Sequence, residues 1–222
     1  FFTRMPVAYV MALVGFLGYS YLSTGSAGLH LLSRDIYDVF SSYGLTVIPL
    51  FVLMGQIAFN AGISGKLYDS AYKFLGSVRG GLAMATTCAC TAFGTVCGSS
   101  PATAATMATV GLPEMKRYGY GPELASGSVA SGGGLGMLMP PSVVLIVYGI
   151  LTEQSIGALF VAGIVPAVFI TFWFVIGIMV YCWLRPEQGP KGEHFTLSQK
   201  LASLKYTADI IIVFVLVMGG LF

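Results

Sequence analysis

The sequence predicts an all-α polytopic membrane protein, and three observations carry that prediction. Hydrophobic residues make up 56% of the chain and charged residues 9%, against roughly a quarter charged in ordinary soluble domains. The apolar residues gather into segments at 6–22, 45–61, 80–97, 99–112, 124–151, 156–184 and 208–222. The basic residues between these segments fall almost entirely on one side of the bilayer once the segments are threaded through it.

In chain order, 6–22 and 45–61 are first crossings. A bilayer core of about 30 Å takes about 20 helical residues at about 1.5 Å each. Phe1-Phe-Thr-Arg-Met-Pro6 lacks the signal-peptide order of basic residue, apolar core and small-residue cleavage site, so it reads as an internal start. Residues 62–79 carry apolar residues at 63, 67, 71, 74, 75 and 78, with Lys66, Asp69 and Lys73 on another face. That spacing predicts an amphipathic helix lying in the inner interface.

The next two segments are short. On the helical rise, 80–97 reaches about 27 Å and 99–112 about 21 Å, which predicts a re-entrant hairpin over 80–112. From Leu124 to Thr152 the chain carries no charge. Its centre, Ser131-Gly-Gly-Gly-Leu-Gly-Met-Leu-Met-Pro-Pro-Ser142, holds glycines and paired prolines that strip helical hydrogen bonds. The expectation is a broken helix over 123–152, tolerated at membrane depth only where the freed backbone is buried or lines a wet cavity. A membrane helix at 153–185 follows, then a cytoplasmic linker at 186–202. The stretch 203–222 starts a further apolar segment, inside which the chain looks truncated.

Threading 6–22 from inside to outside, with 80–112 returning to its own side, places Arg4, Lys66, Lys73, Arg79, Lys116, Arg117, Arg185, Lys191, Lys200 and Lys205 inside. Only Arg34 of the eleven basic residues comes out outside. A net charge of +2 with no basic run argues against nucleic-acid binding. Cys88, Cys90, Cys97 and Cys182 form no CxxC or Cys/His pattern and read as reduced thiols packed as small apolar groups.

Two clusters could carry chemistry. The hairpin tip offers Gly98, Ser99, Ser100 and Thr103. The break offers Gly132, Gly133, Gly134, Gly136, Pro140, Pro141 and Ser142. Close helix packing through Gly94 and Gly98 explains the tip residues equally well on their own. Together, hydroxyls at the tip and carbonyls freed near Gly132 to Gly136 would supply oxygen ligands for a small hard cation. Helix N-termini at Pro101 and Ser142 would face an anion. His30, read in a loop, and His194, in the linker, leave no histidine at membrane depth, which argues against a haem site or a Ser-His protease. Glu114, Glu123 and Glu153 sit at segment ends and Asp209 near the start of the last one, so a metal cation such as sodium is favoured over proton coupling.

Several motifs resemble one family. They are Arg4-Met-Pro-Val-Ala-Tyr9, Ile48-Pro-Leu-Phe-Val-Leu-Met-Gly-Gln56, Phe93-Gly-Thr-Val-Cys-Gly-Ser-Ser100, and Leu112-Pro-Glu-Met115 with Gly119-Tyr120. Further on come the break itself with Tyr148-Gly149, and Gly157-Ala-Leu-Phe-Val-Ala-Gly163. In this order they resemble the large membrane subunit of tripartite ATP-independent periplasmic (TRAP) transporters.

The resemblance implies a bacterial inner-membrane importer of organic acid anions such as C4-dicarboxylates, driven by Na+. It implies a small four-helix membrane subunit and a periplasmic substrate-binding protein as partners, and an elevator motion. It further implies an ion-transporter-superfamily inverted-repeat fold, of which this chain is the first repeat, and no enzymatic activity. Residues 1–79 would be scaffold helices with the interfacial helix, and 80–152 part of the transport domain.

The resemblance also assigns the clusters. Sodium falls to Gly98, Ser99, Ser100, Thr103, Gly132, Gly133, Gly134 and Gly136, and substrate to Ser99, Ser100, Pro140, Pro141 and Ser142. Cys97, Pro101 and Gly134 depart from residues common in the family, which lowers the hydroxyl count and leaves backbone ligands the better supported. A channel and a purely structural membrane subunit are the alternatives. With no Arg inside a membrane segment, the anion's charged contact is expected outside these segments.

Overall fold

A computed structural model describes residues 5–220, and the side chains of 43, 205–207, 209 and 210 lie outside the description. Arg4 and the side chains of Lys205 and Asp209, each named above, therefore lie outside the described residues. The elements are α1 (Val7–Leu22), α2 (Gly25–Ser41), a 3-10 turn (Tyr43–Thr46), α3 (Val47–Asn60), α4 (Ile63–Leu75), α5 (Gly81–Cys97), α6 (Ser100–Arg117), α7 (Pro122–Leu135), α8 (Val143–Leu151), α9 (Ile156–Leu184) and α10 (Leu197–Gly219). No strand occurs among the described residues, in line with the all-α expectation. The chain forms two compact units, 1–47 and 48–222.

In the first unit α1 packs on α2. Gly28 permits the approach, since a Cβ there would lie 3.3 Å from the Phe16 ring. The helix α2 corrects the loop expected around His30. Leu29, Leu32, Ile36, Val39 and Phe40 fall at helical spacing, Thr24 accepts from the Ala27 N–H at 3.3 Å, and Arg34 pairs with Asp38 at 3.6 Å. Gly25 and Gly28, poor helix formers, mask that pattern in the sequence.

The second unit is organised around α5. Fifteen of its seventeen residues are buried, and α4, α6, α7, α9 and α10 all pack on it. A helix enclosed on every side must satisfy its polar side chains internally. Thr86, Thr87 and Thr91 do so by donating to the carbonyls of Leu82, Ala83 and Thr87 at 2.8, 3.1 and 3.1 Å. Thr91 also meets Thr171 of α9 at 2.9 Å, hydroxyl to hydroxyl. The cysteines are free thiols, three buried and Cys88 half-buried, as expected.

Gly98 and Ser99 alone connect α5 to α6, and Gly111 of α6 sits opposite Thr86 of α5, where a Cβ would come within 3.1 Å of the Thr86 hydroxyl. The pair is an antiparallel hairpin. Its second arm runs to Arg117, through Pro113, rather than ending at 112. Lys116 and Arg117 in the last turn complement the C-terminal dipole and extend the helix beyond its apolar part. The helix α4 ends at Leu75, short of 79, and buries Leu67, Tyr68 and Tyr72 while Phe74 stays exposed. The helix α10 begins at Leu197, ahead of 203, because Thr196 and Gln199 form a capping box.

By length and composition α9 is the one helix among the described residues able to cross a membrane unaided. It has 29 residues and a mean hydropathy of 2.5 in its most apolar window. It buries only Phe160, Ala167, Ile178 and Cys182, so most of its apolar surface points outward. The helices α1 and α5 are apolar but shorter, at 16 and 17 residues.

Two clusters of buried side chains flank α5, one around Leu82, Met84, Met115 and Tyr120, the other around Leu67, Phe93, Val96 and Met107. Phe93 is fully buried. Phe93→Ala is expected to cost about 3 to 5 kcal/mol, read as an earlier unfolding transition of the purified protein in denaturing detergent.

Candidate ion and substrate site

The site forms where the hairpin end meets the interruption between α7 and α8. Gly98 ends α5 in the left-handed conformation, φ 61°, with its N–H on the Gly94 carbonyl at 2.9 Å. Glycine adopts that conformation without steric cost, which lets the chain reverse within two residues.

The interruption has its own cause. The expected opening at Gly132 to Gly136 does not occur, because the glycine run stays helical and then tightens. Gly136, Met137 and Leu138 donate to the carbonyls of Gly133, Gly134 and Leu135 at 3.0, 3.5 and 3.0 Å. The break falls at Pro140 and Pro141, which lack the N–H groups that would reach back one turn to Gly136 and Met137. The peptide between these prolines is cis. Ser142 then caps α8. Its hydroxyl accepts from the Leu145 N–H at 3.4 Å and donates over a short distance to the Met137 carbonyl.

These two elements approach backbone to backbone. Val143 donates its N–H to the Gly98 carbonyl at 3.3 Å. A Cβ on Gly98 would lie 2.6 Å from the Pro141 carbonyl oxygen, one on Gly94 2.7 Å from the Gly136 Cα, and one on Gly133 2.5 Å from the Ala104 Cβ. A Cβ on Gly132 would lie 3.0 Å from the Cys90 Sγ, and Gly136 faces Thr103. From behind, Gly163 of α9 admits the Leu138 carbonyl, 3.3 Å from where its Cβ would be.

Gly98, Thr103, Gly132, Gly133, Gly136, Pro141 and Ser142 are thus brought together at one seam, with Pro140 buried beside it. Gly134 is not at the seam's contact, since a Cβ there would meet nothing within 4 Å. Ser99 and Ser100 are half-buried, and their hydroxyls make no hydrogen bond among the described residues. The close packing read at Gly94 and Gly98 is present, with Gly94 against Gly136. Sequence reasoning missed one contributor, Gly55 of α3, where a Cβ would lie 3.1 Å from the Cys97 Cα.

The seam's polar groups decide what it can hold. Among the described residues no N–H donates to the carbonyls of Gly136, Leu138, Met139, Pro140 or Pro141, and the N–H groups of Ser100 and Ala102 at the start of α6 have no acceptor. Thr103 is fully buried beside the Cys97 thiol, and among the described residues its hydroxyl makes no hydrogen bond of ordinary geometry. A buried polar atom left unpaired costs about 1 to 3 kcal/mol unless something meets it. Oxygens of this kind suit a hard cation. No cluster of three His, Cys, Asp or Glu residues occurs among the described residues.

All of residues 1–222 match the family described as the tripartite ATP-independent periplasmic transporter, DctM component. The chain belongs to that family. It is 34% identical over 191 residues to the C4-dicarboxylate TRAP transporter large permease protein DctM of Pseudomonas aeruginosa, covering 86% of this chain and 44% of that one. It is 30% identical over 196 residues to the ectoine TRAP transporter large permease protein TeaC of Halomonas elongata, covering 86% and 46%. The sialic acid TRAP transporter large permease protein SiaM of Vibrio cholerae is 28% identical over 222 residues, covering 100% and 51%. This DctM-family chain spans about half the length of the curated relatives it matches.

The glycines separate by role. Gly94→Ala places a methyl against backbone and should cost about 1 to 3 kcal/mol of stability, whereas Gly134→Ala, into open space, should change it by no more than about 0.5 kcal/mol. Unfolding of the purified protein in denaturing detergent checks both.

Proposed function

We propose that this chain forms part of a sodium-coupled secondary transporter that imports organic acid anions across the bacterial inner membrane. It works with a small membrane subunit and a periplasmic binding protein. The observation that carries the reading is the seam, where among the described residues an unpaired buried Thr103 hydroxyl, uncommitted Ser99 and Ser100 hydroxyls and the unpaired carbonyls of Gly136, Leu138, Met139, Pro140 and Pro141 occur together.

In this reading Na+ takes its oxygens from Thr103, Ser99, Ser100 and the backbone around Gly98, with Gly132, Gly133 and Gly136 forming the facing wall and Gly134 left outside it. The substrate anion lies against Pro140 and Pro141, near the N-termini of α6 and α8, whose positive dipole ends favour negative charge. Ser142 serves it by holding the start of α8 in place. The hairpin re-enters from one face and, with the broken helix, shifts as an elevator that exposes the site to either side. The names of the relatives include C4-dicarboxylate, isethionate, ectoine and sialic acid permeases, so a solute bearing a carboxylate or sulfonate is the shared expectation.

Thr103→Val should abolish sodium-dependent uptake while Thr103→Ser retains it, and Ser99→Ala with Ser100→Ala should raise the sodium concentration needed for half-maximal rate by about tenfold. Proteoliposomes with imposed sodium or pH gradients supply the measurement. Uptake that persists without sodium and follows the pH gradient would overturn the coupling ion.

A further inference from the structure

Residues 186–196, a linker by composition, are fastened in place along most of their length. Gly121 donates its N–H to the Gln188 carbonyl, and Gly80 to the Gly189 carbonyl, each at 3.0 Å. Gly192 donates to the Gly76 carbonyl at 2.9 Å, and the Glu193 N–H reaches the Tyr72 hydroxyl at 3.1 Å. Tyr118 donates to the Glu193 carboxylate at 3.0 Å. The Tyr120 hydroxyl both accepts from the Leu82 N–H at 3.2 Å and donates to the Pro190 carbonyl at 2.9 Å. Arg79 and Lys191 pair as an isolated antiparallel bridge.

The fit is close as well as polar. A Cβ on Gly189 would lie 3.1 Å from the Gly80 Cα, and one on Gly192 2.7 Å from the Tyr72 hydroxyl. Burial pushes the Tyr120 phenol up to about 12. A solvated linker would give these groups to water. Here they join the turn after α4, the start of α5, and the turn between α6 and α7, which are the bases of the elements that meet at the seam.

We propose that 188–193 is a strap that stays fastened to the base of the hairpin and travels with it as one body throughout the transport cycle, so that the flexing needed for transport lies outside it. This rests on the alternating-access reading above.

The test is a reversible lock at the exposed bridge pair, R79C with K191C, in the full-length transporter assembled with its partner subunits in proteoliposomes. Antiparallel pairs hold their Cα atoms about 4.5 to 5.5 Å apart, inside the range of about 4.4 to 6.8 Å that a disulfide accepts. Oxidation should form the disulfide and leave sodium-driven uptake within about twofold of the same sample after reduction. A fall of about tenfold on oxidation that reduction restores would show that the strap must open. Failure of the pair to oxidise would also overturn the proposal.

A second measurement uses the wild-type transporter. Trypsin cleavage after Lys191 should proceed within about twofold of its resting rate during turnover with sodium and substrate, and an acceleration of about tenfold would overturn the strap. Absence of sodium-dependent uptake in the wild type would instead sink the functional reading, while the disulfide yield still reports on the strap.

Discussion

The rest of the structure depends on a backbone-to-backbone approach between the end of α5 and the interruption that follows α7. Val143 can donate to the Gly98 carbonyl only because neither Gly98 nor Gly94 carries a side chain where Pro141 and Gly136 arrive. That contact fixes the hairpin end against the break. It also places Thr103, one turn into α6, against Gly136 with its hydroxyl buried and unpaired. Small residues let helices come this close in lipid, where apolar burial supplies little drive.

Everything around that seam supports α5. Its threonines turn their hydroxyls back onto its own carbonyls, leaving Thr91 and Thr171 as a polar contact to α9. Back-bonded hydroxyls are spent on the helix that carries them. At the hairpin end and in the break, by contrast, the Thr103 hydroxyl and several backbone carbonyls stay unpaired among the described residues. At the other end of α5, the strap bonds hold Leu82 and Gly80, so the buried helix is secured at both termini.

Much of this was legible in the sequence because the signals were chemical rather than statistical. Prolines 140 and 141 cannot donate, so a break had to fall near them, and Gly98 before two serines marked a helix end that reverses. The same signals misplaced the freed carbonyls by several residues, since the glycine run reads as a breaker yet remains helical up to Leu135. The helix α2 was hidden by Gly25 and Gly28, and the strap by a composition of Gly, Pro and charge that fits a mobile linker as well as a docked one. Nothing local in 186–196 tells which: the deciding partners, Tyr72, Tyr118 and Tyr120, lie about 70 residues or more away in the chain. Chemistry at the seam was therefore readable from types and spacing, and long-range fastening was not.

The glycine seam bears on how readily the two elements find each other as the protein folds. Interdigitated side chains must settle into one set of rotamers when two faces meet, and ordering one long side chain costs up to about 2 kcal/mol of entropy. Between Gly94 and Gly136, and between Gly98 and Pro141, there are no rotamers to fix. Two smooth faces of this kind come together without a search, so the seam forms with little loss of side-chain freedom.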